Sequence, residues 1–181
     1  MQQAPVMSYE EARGNIQNGD ILSFMTGSKD GKMIFRQLTK MVTNSPYYHT
    51  GIAVWLSSEN SMPRLFICEA QPAGRRLVPL SIYSHLHFDV TECPVDFSLI
   101  ERPLLEKVGS VPYGFLDYIG IGMRMLFGIS AKDDNGAEIC SEMAQDLFGK
   151  AGLVIPEHPL APNELKKFIN DLGFEDRVLV R

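Results

Sequence analysis

The chain has 181 residues, 45% of them hydrophobic and 22% charged, with a formal net charge of −5. That length suits one well-buried core and is short for two domains without a linker, and no linker is evident, so residues 1–181 are expected to form a single domain. Lysines and arginines are scattered, with no run longer than the pairs Arg75-Arg76 and Lys166-Lys167, which leaves no basic stripe for nucleic acid. Three cysteines without a close pairing motif argue for a reducing compartment rather than a disulfide scaffold. Residues 1–7 read as a loose lead-in without the basic-then-apolar pattern of a secretory signal, so a cytoplasmic location is expected. The most apolar stretch, residues 115–129, is broken by Asp117 and Arg124 and is shorter than the roughly 20 residues that span a bilayer.

Ser8-Tyr9-Glu10-Glu11 has the form of a capping box, which predicts a helix to about Ile16, ended by Asn18-Gly19. Residues 20–25 read as a short strand. After a Ser28-Lys29-Asp30-Gly31 loop, Met33, Ile34, Leu38 and Val42 recur at helical spacing until Ser45-Pro46 stops them. Residues 47–56 are the clearest strand: Tyr48, Thr50, Ile52, Val54 and Leu56 form one face and Tyr47, His49, Gly51, Ala53 and Trp55 the other. Gly51 and Ala53 are small enough to let a helix lie close to that second face. A further strand over 65–71, with Glu69 on the face of Leu65 and Ile67, is expected to pair antiparallel with it.

Pro72-Ala73-Gly74 reads as a turn, 77–80 as a short extended piece and 87–92 as a strand. Helices are expected over 98–108 and 115–127, the latter carrying Gly120 and Gly122. In residues 138–148, Ile139, Cys140, Met143, Ala144 and Leu147 share one side while Glu142, Gln145 and Asp146 point away, which describes an amphipathic helix. Ala161-Pro162-Asn163 opens a last helix to Asn170, and Val178-Leu179-Val180 is expected as an edge strand.

Three residues on these elements have the chemistry of a thiol nucleophile and its helpers. Asp133-Asp134-Asn135-Gly136 are N-cap and turn formers, which puts Cys140 in an early helical turn, where the helix dipole favours a thiolate. A small cysteine also packs well at such a position with no chemical role. His49 can take the proton of a thiol, or be an ordinary strand histidine satisfied by its neighbours. Glu69 lies among Cys68 and Ala70, where a carboxylate needs a partner or an exposed end. A separate possibility is zinc: His85, His87, Asp89 and Cys93 share parity along a possible strand, though a solvated edge gives the same pattern.

Four segments in order, Gly19-Asp20-Ile21-Leu22, Tyr47-Tyr48-His49-Thr50-Gly51-Ile52-Ala53-Val54, Ile67-Cys68-Glu69-Ala70 and Ile139-Cys140-Ser141-Glu142, resemble the circularly permuted papain-like cysteine hydrolases of the NlpC-like superfamily, the YiiX-like branch in particular. The resemblance implies an α+β fold, with a small antiparallel sheet or half-barrel and packed helices. It also implies Cys140 as nucleophile, His49 as general base and Glu69 as the group that orients His49. Tyr113, in Pro112-Tyr113, matches the family's P-Y element, whose tyrosine lines the site. Tyr48 stands where serine commonly precedes the histidine, and with Tyr113 is expected on the substrate side. The reaction implied is acyl transfer on a peptide amide or a lipid acyl group, with no cofactor and no metal. A non-catalytic lipid- or peptide-binding module of the same fold, or a zinc protein using His85, His87 and Cys93, are the alternatives. Residues 115–129 could wall an acyl pocket or simply be core.

Overall fold

A ten-residue strand, Tyr47–Leu56, runs through the middle of the molecule and divides its hydrophobic interior in two. The computed structural model describes residues 4–25, 46–57, 61–71, 74–109 and 140–181. The expected 33–42 and 115–127 helices, the Ser28-to-Gly31 loop and Tyr113 lie outside these residues, as does most of the Pro72-Ala73-Gly74 turn.

Among the described residues the chain forms seven strands and four α-helices. In chain order they are β1 (Val6–Met7), α1 (Tyr9–Ala12), β2 (Ile21–Met25), β3 (Tyr47–Leu56), β4 (Arg64–Gln71), β5 (Gly74–Pro79), β6 (Phe88–Thr91), α2 (Phe97–Glu106), α3 (Cys140–Lys150), α4 (Pro162–Asp171) and β7 (Asp176–Val180). Short 3₁₀ turns follow α1 at Arg13–Asn15 and β5 at Leu80–Tyr83. The strands form one mixed sheet in the order β1-β7-β6-β2-β3-β4-β5, with β1 and β7 parallel and every other pair antiparallel. The α+β class follows, and β3 pairs antiparallel with β4 as the strand pattern predicts.

The capping box at Ser8 is present, with Ser8 and Glu11 bonded reciprocally, but the α-helix it starts yields to the 3₁₀ turn after one turn. Residues 178–180 are not an edge strand. They lie in β7, which is covered by β6 on one side and by β1 on the other, a non-local pairing that short-range periodicity does not encode.

The strict alternation of β3 sorts the two cores. Ile52 and Val54 join Ile21, Cys68 and Ala70 beneath α2, α3 and α4, whose Ile100, Leu104, Met143, Leu147, Leu165 and Ile169 complete that layer. Ala53 joins Leu22, Phe24, Leu65 and Ile67 on the opposite face, under Tyr9, Ala12 and Ile16. Helices α2, α3 and α4 therefore pack on the even positions of β3, and of the described helices only the one-turn α1 lies on the Gly51 and Ala53 face where a helix was expected. The room left by Gly51 is filled instead from the neighbouring strand: a Cβ at residue 51 would lie 2.3 Å from Cδ1 and 2.5 Å from Cγ1 of Ile67. Gly19, with φ of +85°, has a similar reason to be glycine, since a Cβ there would meet the Cys93 sulfur at 2.7 Å. The adjacent Asp20 is buried and bonded to the Gln17 amide and to Arg177, so the Gly19-Asp20 pair anchors the start of β2.

Because Ile67 is fully buried, it has little space into which to withdraw. Gly51→Ala is expected to destabilise the protein by about 1–3 kcal/mol through overpacking. In urea unfolding the loss should shrink when Ile67→Val, which removes Cδ1, is combined with it, and a purely additive double-mutant cycle would contradict the contact.

Candidate active site

His49 and Glu69 belong to adjacent antiparallel strands. Pairing of β3 with β4 runs from Leu56↔Arg64 to Ile52↔Cys68, and continued three steps further that register sets His49 across from Gln71, with Glu69 diagonal to it on the same face. The observed contacts follow: His49 Nε2 lies 2.5 Å from Glu69 Oε2 and 3.4 Å from Gln71 Nε2. The Phe24 ring sits 5.6 Å from the imidazole, and Tyr48 stacks alongside it at 6.4 Å. These walls leave the His49 side chain only 12% exposed, while that of Glu69 is fully buried.

Cys140 stands at the head of α3 as described, in its first turn, and is buried against the helix-side core. Its side chain is near enough to His49 to be, after burial itself, the group that most affects the proton affinity of the imidazole. The local backbone has a feature suited to this meeting. Between β2 and β3 the register steps from Phe24↔His49 to Met25↔Tyr47, so Tyr48 is an extra residue immediately beside the histidine. Such bulges bend a strand and re-aim its side chains. Tyr47 shows the effect: strict alternation would put it beside His49, yet its hydroxyl donates to Asp89 and its ring lies beneath Lys166 of α4, on the helix side.

Burial alone would lower the basicity of His49. The negative charge of the Cys140 sulfur and its hydrogen bond, followed by the hydrogen bond and charge of Glu69, outweigh burial and lift the imidazole from 6.5 to about 10. For Glu69, burial pushes the carboxyl up, but His49, Tyr83 and Arg76 together bring it from 4.5 down to about 2. The arrangement is a buried carboxylate holding an imidazole of raised proton affinity beside the Cys140 sulfur.

The second oxygen of Glu69 is held from outside. Arg76 Nε donates to Oε1 at 2.8 Å, Tyr83 Oη donates to the same oxygen at 2.7 Å, and an Arg76 terminal nitrogen donates to Tyr83 Oη at 2.9 Å. Arg76 lies directly across from Glu69 in the β4–β5 register. Its neighbour Arg75 points to the other face and caps the end of α2 through the carbonyls of Pro103 and Leu104 at 3.1 and 3.2 Å. The Arg75-Arg76 pair is thus split across the sheet by strand alternation. Sequence reasoning missed Arg76 and Tyr83; the usable signal was that a buried Glu69 demands a counter-charge.

Neither a comparison with models of protein families nor one with curated proteins finds a match for this chain. Of the residues singled out in the sequence, Cys140, His49 and Glu69 are brought together and Tyr48 lies against His49.

The zinc pattern is not assembled. His85 falls in a turn and His87 precedes β6, so the shared parity is interrupted, and Cys93 lies against Gly19 with burial pushing its thiol up to about 11. Among the described residues no group of three or more His, Cys, Asp or Glu side chains is placed to hold a metal. None of the three cysteines is in a disulfide.

Three hydroxyls near the site, those of Ser23, Thr50 and Ser141, are buried with no hydrogen-bond partner among the described residues. Ser141 follows Cys140, Thr50 follows His49, and Ser23 pairs with Thr50 between β2 and β3. Farther along the same sheet face, Asp89 is satisfied by Tyr47, by Arg181 at 2.5 Å and by Lys166 at 3.3 Å.

The electrostatics give two measurable consequences. Glu69 ionises near 2 in the folded protein against 4.5 when free, so its stabilising contribution is complete above about 4.5 and is lost as pH falls toward 2. Comparing urea midpoints at about pH 5 and about pH 3, Glu69→Gln should have a shallower acid slope than the parent. In an NMR titration the His49 ring should stay protonated well beyond neutrality, with its midpoint falling by about one unit or more in Cys140→Ala, because the Cys140 charge is the largest of the effects that raise it.

Proposed function

We propose that this chain is a cysteine-dependent hydrolase or acyltransferase, of the permuted papain-like kind that its sequence segments resemble, acting on an amide or ester through a thioester on Cys140. The observation that carries the reading is the convergence of Cys140, His49 and Glu69: His49 Nε2 lies 2.5 Å from Glu69 Oε2, and Cys140, 91 positions further along the chain than His49, is close enough to raise the proton affinity of the imidazole. A structural cysteine, a satisfied histidine and a paired glutamate would each be unremarked alone. Their convergence, with the imidazole polarised between them, is the nucleophile–base–orienter geometry.

In the first step the Cys140 sulfur attacks the carbonyl carbon, a C–S bond forms and the carbonyl electron pair moves onto oxygen. The backbone N–H of Cys140, in the first turn of α3, is a natural donor to that oxygen, supported by the positive end of the helix. Collapse of the tetrahedral species expels the amine or alcohol, which leaves with the proton from His49, and a thioester remains. Neutral His49 then takes a proton from water, or from another acceptor, as it attacks the thioester; the acid or transferred acyl product departs and the thiolate–imidazolium pair is restored. Glu69 keeps the ring oriented throughout.

No helix among the described residues is long and apolar enough to cross a membrane.

Cys140→Ala is expected to keep the fold and lower turnover of a responsive acyl amide by about 10³-fold or more, with a similar loss for His49→Ala and a smaller one for Glu69→Gln. A panel of acyl amides and lipid esters assayed with the parent and Cys140→Ala identifies the substrate class. Thiol labelling gives a substrate-free check: near neutral pH iodoacetamide should modify Cys140 faster than Cys68 or Cys93. A folded Cys140→Ala protein that retains activity would remove the nucleophile assignment.

A further inference from the structure

Glu69 receives its hydrogen bonds from two sides that do different things. One oxygen faces His49; the other is occupied by the Arg76 guanidinium, whose Nε and terminal nitrogen lie 2.8 and 2.7 Å away, and by the Tyr83 hydroxyl. An ionised carboxylate with only one oxygen engaged is free to rotate about its terminal torsion and to present either oxygen to the imidazole. With Oε1 fixed, Oε2 has one position.

We propose that Arg76, braced by Tyr83, is a positioning residue for the Cys140–His49 pair: it fixes Glu69 by one oxygen so that the other meets Nε2, and its charge sets the pH above which the thiolate–imidazolium pair forms. This rests on the hydrolase reading above, but it concerns a residue that touches neither the sulfur nor the imidazole.

The groups around His49 set its charge balance. Cys140 faces it from α3, Glu69 and the neutral Gln71 from β4, and Tyr48 stacks beside it; Arg76 from β5 and Tyr83 from the 3₁₀ turn reach it through Glu69. Without Arg76 the desolvated group of thiolate, imidazolium and carboxylate would carry one net negative charge. An added negative charge raises the proton affinity of every member, so the pair would need a higher pH to form. Arg76 cancels that charge. Its side chain is 44% exposed, so solvent screens the effect in part.

The decisive measurement is the rate of Cys140 labelling by iodoacetamide as a function of pH, on Arg76→Met, Arg76→Lys and Tyr83→Phe, with folding checked by thermal unfolding. Arg76→Met should move the acid limb of the labelling profile upward by about 0.5 to 1 pH unit. Arg76→Lys, which keeps the charge but loses the fork, should leave the limb within a few tenths of a unit of the parent while lowering kcat more than it raises KM. Tyr83→Phe should behave like Arg76→Lys. An unmoved limb in folded Arg76→Met, or a limb moved equally by Arg76→Lys, would overturn the proposal. If the parent itself labels Cys140 no faster than Cys68 or Cys93, the hydrolase reading fails first, a result separate from any effect of Arg76.

Discussion

A fully buried carboxylate sets the terms for the rest of this structure. Stripping water from Glu69 costs several kcal/mol unless its oxygens are met by donors of matching charge, and here both are met, by His49 on one side and by Arg76 and Tyr83 on the other. Those donors come from β3, β5 and the turn after β5, so three segments must be in register for Glu69 to be tolerated at all. A one-residue slip of β4 would turn Glu69 toward the helix-side core and remove every partner at once. The contact of Gly51 with Ile67 resists such a slip, because the isoleucine, opposite Ala53, leans diagonally into the space a Cβ at residue 51 would fill.

The site also depends on a break in that regularity. His49 belongs by alternation to one sheet face, while α3 covers the other. Their meeting occurs beside the bulge at Tyr48, where the ladder is already disrupted. The same bulge sends Tyr47 to Asp89, which Lys166 and Arg181 hold in turn, tying the start of β3 to β6, α4 and the end of the chain. A buried ionic cluster of this kind adds little net stability. Its geometric effect is larger: it fixes where the bulged end of β3 lies, and therefore where the imidazole lies.

Local chemistry was legible in the sequence and long-range placement was not. The strands around His49 and Glu69, their antiparallel pairing, the Ser8 capping box and the helix bearing Cys140 all follow from periodicity and capping over a few residues. The side of β3 that the helices cover was misjudged, because a glycine announces a close approach without saying whether a helix or an isoleucine makes it. The bulge at Tyr48 leaves no mark in composition, so Tyr47 was assigned to the wrong face. The 178–180 strand was placed at an edge because its cover, β1, is two residues long and lies at the opposite end of the chain. Arg76 escaped notice because β5 has little hydrophobic alternation, and only the register with β4 shows that it stands across from Glu69.

In the proposed hydrolase, that register would let the group that orients His49 be a glutamate rather than a neutral amide. A carboxylate polarises an imidazole more strongly than an amide, but in a desolvated site it also adds a charge that a thiolate opposes. With Arg76 as the cross-strand partner of Glu69, a thiolate, imidazolium, carboxylate and guanidinium would follow one another in alternating sign from α3 to β5. Each charge then lies next to its opposite and one step removed from its like, the order of lowest energy for four charges in a row. The two ends of the line differ in solvation: the sulfur is buried, whereas the guanidinium is nearly half exposed. Solvent at the arginine end stabilises its charge while leaving the reacting end dry, and so the cost of burying Glu69 is offset where water can help and its field is kept where the chemistry would occur.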